Sequence, residues 1–296
     1  MQGTACCLMN IHERLDPSDS ETWLPEGHLK DWVQVRHDCA SNILHECVRL
    51  QTLHLIPFFV HDGMDIDEMD TSGLTALHVA SKTLAKEAIQ MLLHCGANIN
   101  LTVPVTGQAA LHFATQSSSS KGAITLAAGA ECVELLLQNG AQVHMRDRSG
   151  REAIHFACQG GREDLVTLLL DYGADINSLT SLQESPLFLF LQEKNNLRQA
   201  QLLDKLLSLS YPLKITNAEG CLPTGFIFPC AERLKDALLR MTLDVLPLQE
   251  ICKFNIRKIY GENMKLWMEV NLPTDLWKSI YVDQEFSYAS KTKAFN

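Results

Sequence analysis

Apolar residues along this chain fall in short, evenly spaced bursts rather than in long stripes. Leu77, Ala80 and Ser81 lie at helical spacing and predict a short helix with one small face for close packing. A second burst runs from Ala85 to His94 and carries Leu92-Leu93 just before Gly96. Asp164 to Tyr172 repeats that layout, with Leu168-Leu169-Leu170 before Gly173. Thr75 stands where a helix N-cap belongs, because its hydroxyl can accept a bond from an orphan backbone N–H, worth about 1 kcal/mol. Ser185 does the same ahead of Pro186, and proline at the first helical position loses no hydrogen bond. Gly96, Gly140 and Gly173 supply the left-handed conformation that stops the second helix. A hairpin-like stretch then leads through Asp/Asn-Ile-Asn to Gly73, Gly107 or Gly150. The predicted unit is helix, turn, helix, loop.

The unit recurs. Asn42-Ile43-Leu44-His45, Thr75-Ala76-Leu77-His78, Ala109-Ala110-Leu111-His112 and Glu152-Ala153-Ile154-His155 are followed by Ser185-Pro186-Leu187-Phe188, where phenylalanine replaces histidine. From His45 the steps are 33, 34, 43 and 33 residues. A second marker, Gly63-Met64-Asp65-Ile66, Gly96-Ala97-Asn98-Ile99, Gly140-Ala141-Gln142-Val143 and Gly173-Ala174-Asp175-Ile176, keeps time with steps of 33, 44 and 33. Two markers sharing one period and one insertion identify a repeat array, in which each unit buries its apolar face only against its neighbours.

These strings resemble the ankyrin repeat, with its Thr-Pro-Leu-His and Leu-Leu-Leu-x-x-Gly-Ala cores. The resemblance implies an all-α solenoid of helix-turn-helix-loop units that binds protein partners. It divides the chain into an N-terminal segment, 1–36, a degenerate repeat at 37–66, and repeats at 67–101, 102–146, 147–179 and 180–216. A degenerate capping repeat follows at 217–245. The third unit carries about ten extra residues near 116–130, and its Ser117-Ser118-Ser119-Ser120, Gly122 and Gly129 predict an exposed loop between the two helices.

After residue 245 the period stops. Leu248, Cys252 and Ile256 lie four apart on one apolar stripe, and Gly261 ends the helix that carries them. Pro247, Leu248, Cys252 and Ile256 resemble the Elongin-binding pattern of the SOCS box, a short helical module that follows the repeats in the ankyrin-repeat and SOCS-box family. The resemblance implies a SOCS-box-like module at 246–283 that recruits Elongin B/C and, through it, a cullin-type ubiquitin ligase; residues 284–296 form a polar tail. Of the cullin-selecting Leu-Pro-apolar-Pro pattern only Leu272 and Pro273 are present. The alternative is that the same helices cap the solenoid, leaving a scaffold with no ligase role.

Charge narrows the partners. At 296 residues, with 46% hydrophobic and 20% charged, the chain is an ordinary folded protein in composition. A net charge of −10 disfavours nucleic acid and anionic membranes. No apolar run reaches the roughly 18 residues of a membrane span, and the N-terminus lacks a secretory pattern, which points to the cytoplasm or nucleus. There the ten cysteines are expected as reduced core thiols, Cys95, Cys132 and Cys158 among them.

Eleven histidines do not add up to a metal site. His45, Cys47, His54 and His61 fall on the repeat template without paired Cys-x-x-Cys spacing, and no cofactor is expected. His45, His78, His112 and His155 are expected to bond the cap of their own helix. Neither a Gly-x-Ser-x-Gly elbow nor a phosphate loop is present, so the chain is not read as an enzyme. The chemistry lies in the hairpin tips. Asp67, Glu68 and Asp70, with Asp65, make one tip acidic, while His144, Arg146 and Arg148 make another basic. Asp67, Glu68, Asp70, His144, Arg146 and Arg148 are the six candidate contacts for an extended client protein recognised by complementary charge.

Overall fold

A computed structural model describes residues 43–120, 126–210, 212–228 and 231–243. The segments 1–36, 246–283 and 284–296 lie outside the described residues. So do Pro247, Leu248, Cys252, Ile256, Leu272 and Pro273.

The described chain is an all-α solenoid with no strand, only an isolated bridge between Thr102 and Ala109. Five helix pairs follow one another: α1 (Ile43–Arg49) with α2 (Ile56–His61), α3 (Ala76–Thr83) with α4 (Lys86–His94), α5 (Ala110–Ser120) with α6 (Leu126–Gln138), α7 (Ala153–Gln159) with α8 (Glu163–Asp171), and α9 (Pro186–Gln192) with α10 (Ala200–Leu209). A 3-10 turn at Thr224–Ile227 and α11 (Glu232–Leu243) close the stack. First helices pack on first helices, α1 on α3 through to α9, and second helices on second helices from α2 to α8. Among the described residues no helix is long and apolar enough to cross a membrane.

The two layers are held by registers set in the sequence. Leu44, Leu77, Leu111, Ile154 and Leu187 are buried at equivalent points of the five first helices. Cys47, Ala80, Ala114, Ala157 and Phe190 follow three residues later, all fully buried, and the small ones let the helices approach closely. In the second layer Ile89, Val133 and Val166 form one buried row and Leu92, Leu136 and Leu169 another. Cys132 and Cys158 sit in this core, but Cys95 is only half-buried. Full burial pushes the Cys158 thiol far up from its ordinary pKa, so it packs as a small apolar group.

Two local features stand out, the first a departure from the sequence reading. The insertion is helical up to Ser120 and again from Leu126, so its described residues lengthen α5 and α6 where the sequence predicted a loop. Ser118 is fully buried against Gly129, where a Cβ would stand 1.7 Å from Ser118 Oγ. Ser119 packs on Gly160 of the next unit and donates to Phe156 O at 3.1 Å. Arg162 donates to Ser118 O at 2.7 Å and holds Asp164 at 2.6 Å. Small residues are here because helix backbones touch, not because the chain is open. The second feature is the turn between paired helices, where Gln51 and Leu84 adopt left-handed backbone (φ 61° and 58°) at the point occupied by Gly161 in a later unit. Such a conformation strains residues with a Cβ.

Candidate functional site

Five loops project side by side from the ends of the helix pairs: fingers 1 (64–74), 2 (97–109), 3 (141–152), 4 (174–185) and 5 (212–223). Their tips are shaped by side chains that accept backbone N–H bonds. Asp70 Oδ1 accepts from Ser72 N at 2.8 Å and Leu74 N at 2.9 Å. Asp147 Oδ1 accepts from Ser149 N and Arg151 N, both at 2.8 Å. Thr180 Oγ1 takes Glu184 N at 3.1 Å, and Asn217 Oδ1 takes Glu219 N and Cys221 N at 3.0 and 2.9 Å. Asx-type turns of this kind fix the loop before any partner arrives.

Neighbouring fingers are then tied together. Asp67 Oδ1 accepts from Asn98 N at 2.9 Å, and Asn100 Oδ1 from Gln142 N at 2.9 Å. At the tips, Arg148 N donates to Thr106 O (2.9 Å), Ser181 N to Ser149 O (2.9 Å) and Ala218 N to Leu182 O (2.8 Å). Gly107 and Gly150 permit this contact, since a Cβ on either would fall within 2.9 Å of the next finger's backbone and both have positive φ. Fingers 2 to 5 therefore present one continuous ridge.

The histidines complete the ties. Nδ1 of His78, His112 and His155 accepts the backbone N–H of Thr75, Ala109 and Glu152 at 3.1, 3.1 and 3.0 Å, as expected for a cap. An accepting Nδ1 leaves the proton on Nε2. That Nε2–H donates onward, out of its own helix: His78 to Leu101 O at 2.9 Å, His112 to Met145 O at 2.9 Å, His155 to Ser178 O at 3.1 Å. His45 Nε2 reaches Leu74 O at 2.7 Å. In the fifth unit, which has Phe188, Ser185 caps Phe188 N and donates to Lys214 O at 2.8 Å. The signal for this second bond is the recurrence of histidine in the first four units, which a cap alone does not demand. Burial lowers the pKa of His78 and His112 and takes His155 down to about 4, so all three are neutral at pH 7. They follow one another along the stack, each facing its own carbonyl. Among the described residues no three His, Cys, Asp or Glu side chains gather as metal ligands.

The six candidate contacts divide between two places. On finger 1, Asp67 and Asp70 have carboxylates engaged by backbone N–H groups, as does Asp65 with Asp67 N at 2.9 Å, and Glu68 lies half-buried between them. On finger 3, His144, Arg146 and Arg148 are exposed, and finger 2 separates them from the acidic group. Arg146 Nε donates to Glu152 Oε1 at 3.1 Å, whereas Arg148 donates to the neutral Pro104 O. Glu152, only 2% exposed, stands at the cap position taken by Thr75 and Ser185 in other units. His144 Nδ1 stands 3.6 Å from its Oε2, beyond hydrogen-bond reach. Burial raises the Glu152 pKa, with Arg146 and then His144 opposing the shift. Residues that the charge pattern passed over also lie on the ridge: Val105 is 70% exposed and Leu182 57%.

Comparison with known proteins agrees with this architecture. The family model described as "Ankyrin repeats (3 copies)" matches residues 26–103, 44–131, 106–180 and 123–206. The mouse (Mus musculus) B-cell lymphoma 3 protein homolog is 34% identical over 125 residues, 42% of this chain and 26% of that protein. Human (Homo sapiens) protein phosphatase 1 regulatory subunit 27 is 38% identical over 74 residues, 25% of this chain and 42% of the relative. A probable serine/threonine-protein kinase of Dictyostelium discoideum is 32% identical over 208 residues, 57% of this chain but 23% of the kinase. The chain thus spans less than half the length of each of these relatives. Ankyrin repeats are in general non-enzymatic and serve as protein-interaction scaffolds. With overlapping matches over more than half its length and the helix-pair stack described above, this chain belongs to the ankyrin-repeat family.

Proposed function

We propose that this chain is an adaptor: its finger row holds a client protein while residues 246–283 recruit Elongin B/C, making it a substrate receptor of a cullin-type ubiquitin ligase. The observation that carries the client half is the ridge itself. Its tips are pre-shaped by internal hydrogen bonds and tied to one another, so little ordering entropy is lost when a partner docks. Its side chains vary from finger to finger, which is how a rigid frame acquires specificity.

Support for the ligase half is the pattern of Pro247, Leu248, Cys252 and Ile256, whose four-residue spacing suits a helix seated in a partner's groove. Leu272 and Pro273 are the proposed contacts to the cullin. Elongin B/C should co-purify with the full chain and be lost when Leu248→Ala and Cys252→Ala are combined. Binding retained by that double variant refutes the ligase half.

A second reading, a scaffold whose C-terminal helices only cap the solenoid, has its own support. α11 packs on the 3-10 turn at Thr224–Ile227, with Leu238 fully buried, so the chain after finger 5 begins a cap that the helices of 246–283 would extend. Under this reading, deletion of 246–296 lowers the melting temperature and leaves no Elongin binding to lose.

A further inference from the structure

Three features of the ridge remain after the ties between fingers are accounted for. Val105 on finger 2 and Leu182 on finger 4 expose apolar side chains to solvent, although neither side chain takes part in the tip bonds Arg148–Thr106, Ser181–Ser149 and Ala218–Leu182, which use backbone atoms. Between them lies finger 3 with Arg148 and Arg151. Arg148 is held by the neutral carbonyl of Pro104, and the guanidinium of Arg151 lies 5.8 Å over the ring of Phe156. Among the described residues, neither forms an ion pair with a carboxylate. The acids next to them in sequence are both engaged: Asp147 has an oxygen held by the Ser149 and Arg151 N–H groups, and the buried Glu152 carboxylate is paired with Arg146. Two positive charges with neutral partners are thus fixed in place on a chain whose overall charge is −10.

We propose that fingers 2 to 4 bind an extended acidic protein segment, with one or more carboxylates on Arg148 and Arg151 and an apolar side chain on each of Val105 and Leu182. This rests on the protein-binding reading above and names the partner's chemistry. Helices packed at about 8–10 Å place tips two fingers apart at roughly 16–20 Å. An extended chain rising about 3.3 Å per residue covers that distance in roughly five or six residues. The segment therefore has two apolar residues about that far apart with Asp or Glu between them. Planar guanidinium groups favour bidentate carboxylates, and their fixed positions reduce the entropy lost on binding. The net negative charge of the rest of the chain repels acidic segments elsewhere, which confines them to this finger.

The test is selection of a displayed library of random 12-residue peptides on the full chain, followed by affinity measurement with the enriched sequences. Enriched peptides should carry Asp or Glu between two apolar positions and bind at least tenfold more weakly to Arg148→Glu, to Arg151→Glu and to the double variant Val105→Ser with Leu182→Ser. Arg151→Glu leaves the Arg148–Pro104 contact intact, so a loss there is not a loosened finger, and unchanged melting curves confirm folding. Peptides in which Lys replaces the acids should regain affinity for the charge-reversed variants. Enrichment of basic peptides, or of acidic ones indifferent to these substitutions, overturns the assignment while leaving the protein-binding reading standing. A selection that enriches no peptide for any surface counts against both.

Discussion

The neutral histidine column makes stability depend on pH, and His155 shows how. In the folded protein its pKa is about 4, against 6.5 ordinarily, because burial disfavours the imidazolium. The unfolded chain therefore binds a proton in a range where the folded one does not. Stability from this residue is complete above pH 6.5 and drains away as pH falls towards about 4. Each unit of pKa is worth about 1.4 kcal/mol, so His155 accounts for a loss of about 3 kcal/mol across that window. His78 and His112 are shifted in the same direction and add to the slope. The assay is urea unfolding followed by circular dichroism at pH 7.5, 6.5, 5.5 and 4.5, on the wild type and on His155→Gln. Glutamine cannot titrate, so the variant starts less stable but loses stability more slowly on acidification, by about 1.4 kcal/mol per pH unit. Parallel slopes for the two proteins would show that His155 is not a buried neutral clasp.

Gly129→Ala should cost about 1–3 kcal/mol by overpacking, despite the better helix propensity of alanine, because its Cβ meets Ser118 Oγ at 1.7 Å. Calorimetry measures it, and a neutral or stabilising result would mean that the insertion is open after all. Gln51→Gly should raise stability by about 0.5–1 kcal/mol, since Gln51 is exposed and its φ of 61° suits glycine; an unchanged or lowered melting temperature counts against backbone strain there.

The array was legible because its markers each do one mechanical job: Leu77 and its equivalents fill the core, Gly96 and its equivalents end helices, and Thr75 and Ser185 cap. The insertion misled for a physical reason. Serine and glycine are frequent in open loops, but they also fill sites where two backbones touch, and composition does not separate the uses. Ser118 and Gly129 belong to the second kind. A similar ambiguity affects the acidic tip. Asp67 and Asp70 read as a charged face, yet an acceptor that closes a turn or ties a neighbouring loop has the same letter as one that awaits a ligand. Val105 and Leu182 had no meaning until the ridge put them on either side of finger 3, because exposure is a property of the fold and not of the residue.

Where a client touches this molecule is the question that decides most. A photo-crosslinking amino acid placed at Val105 on the ridge, or at Glu134 on the exposed outer side of α6, reads that contact directly in cells. Covalent client adducts should form from position 105 and not from 134. Adducts from 134 with none from 105 would contradict a finger-borne binding surface.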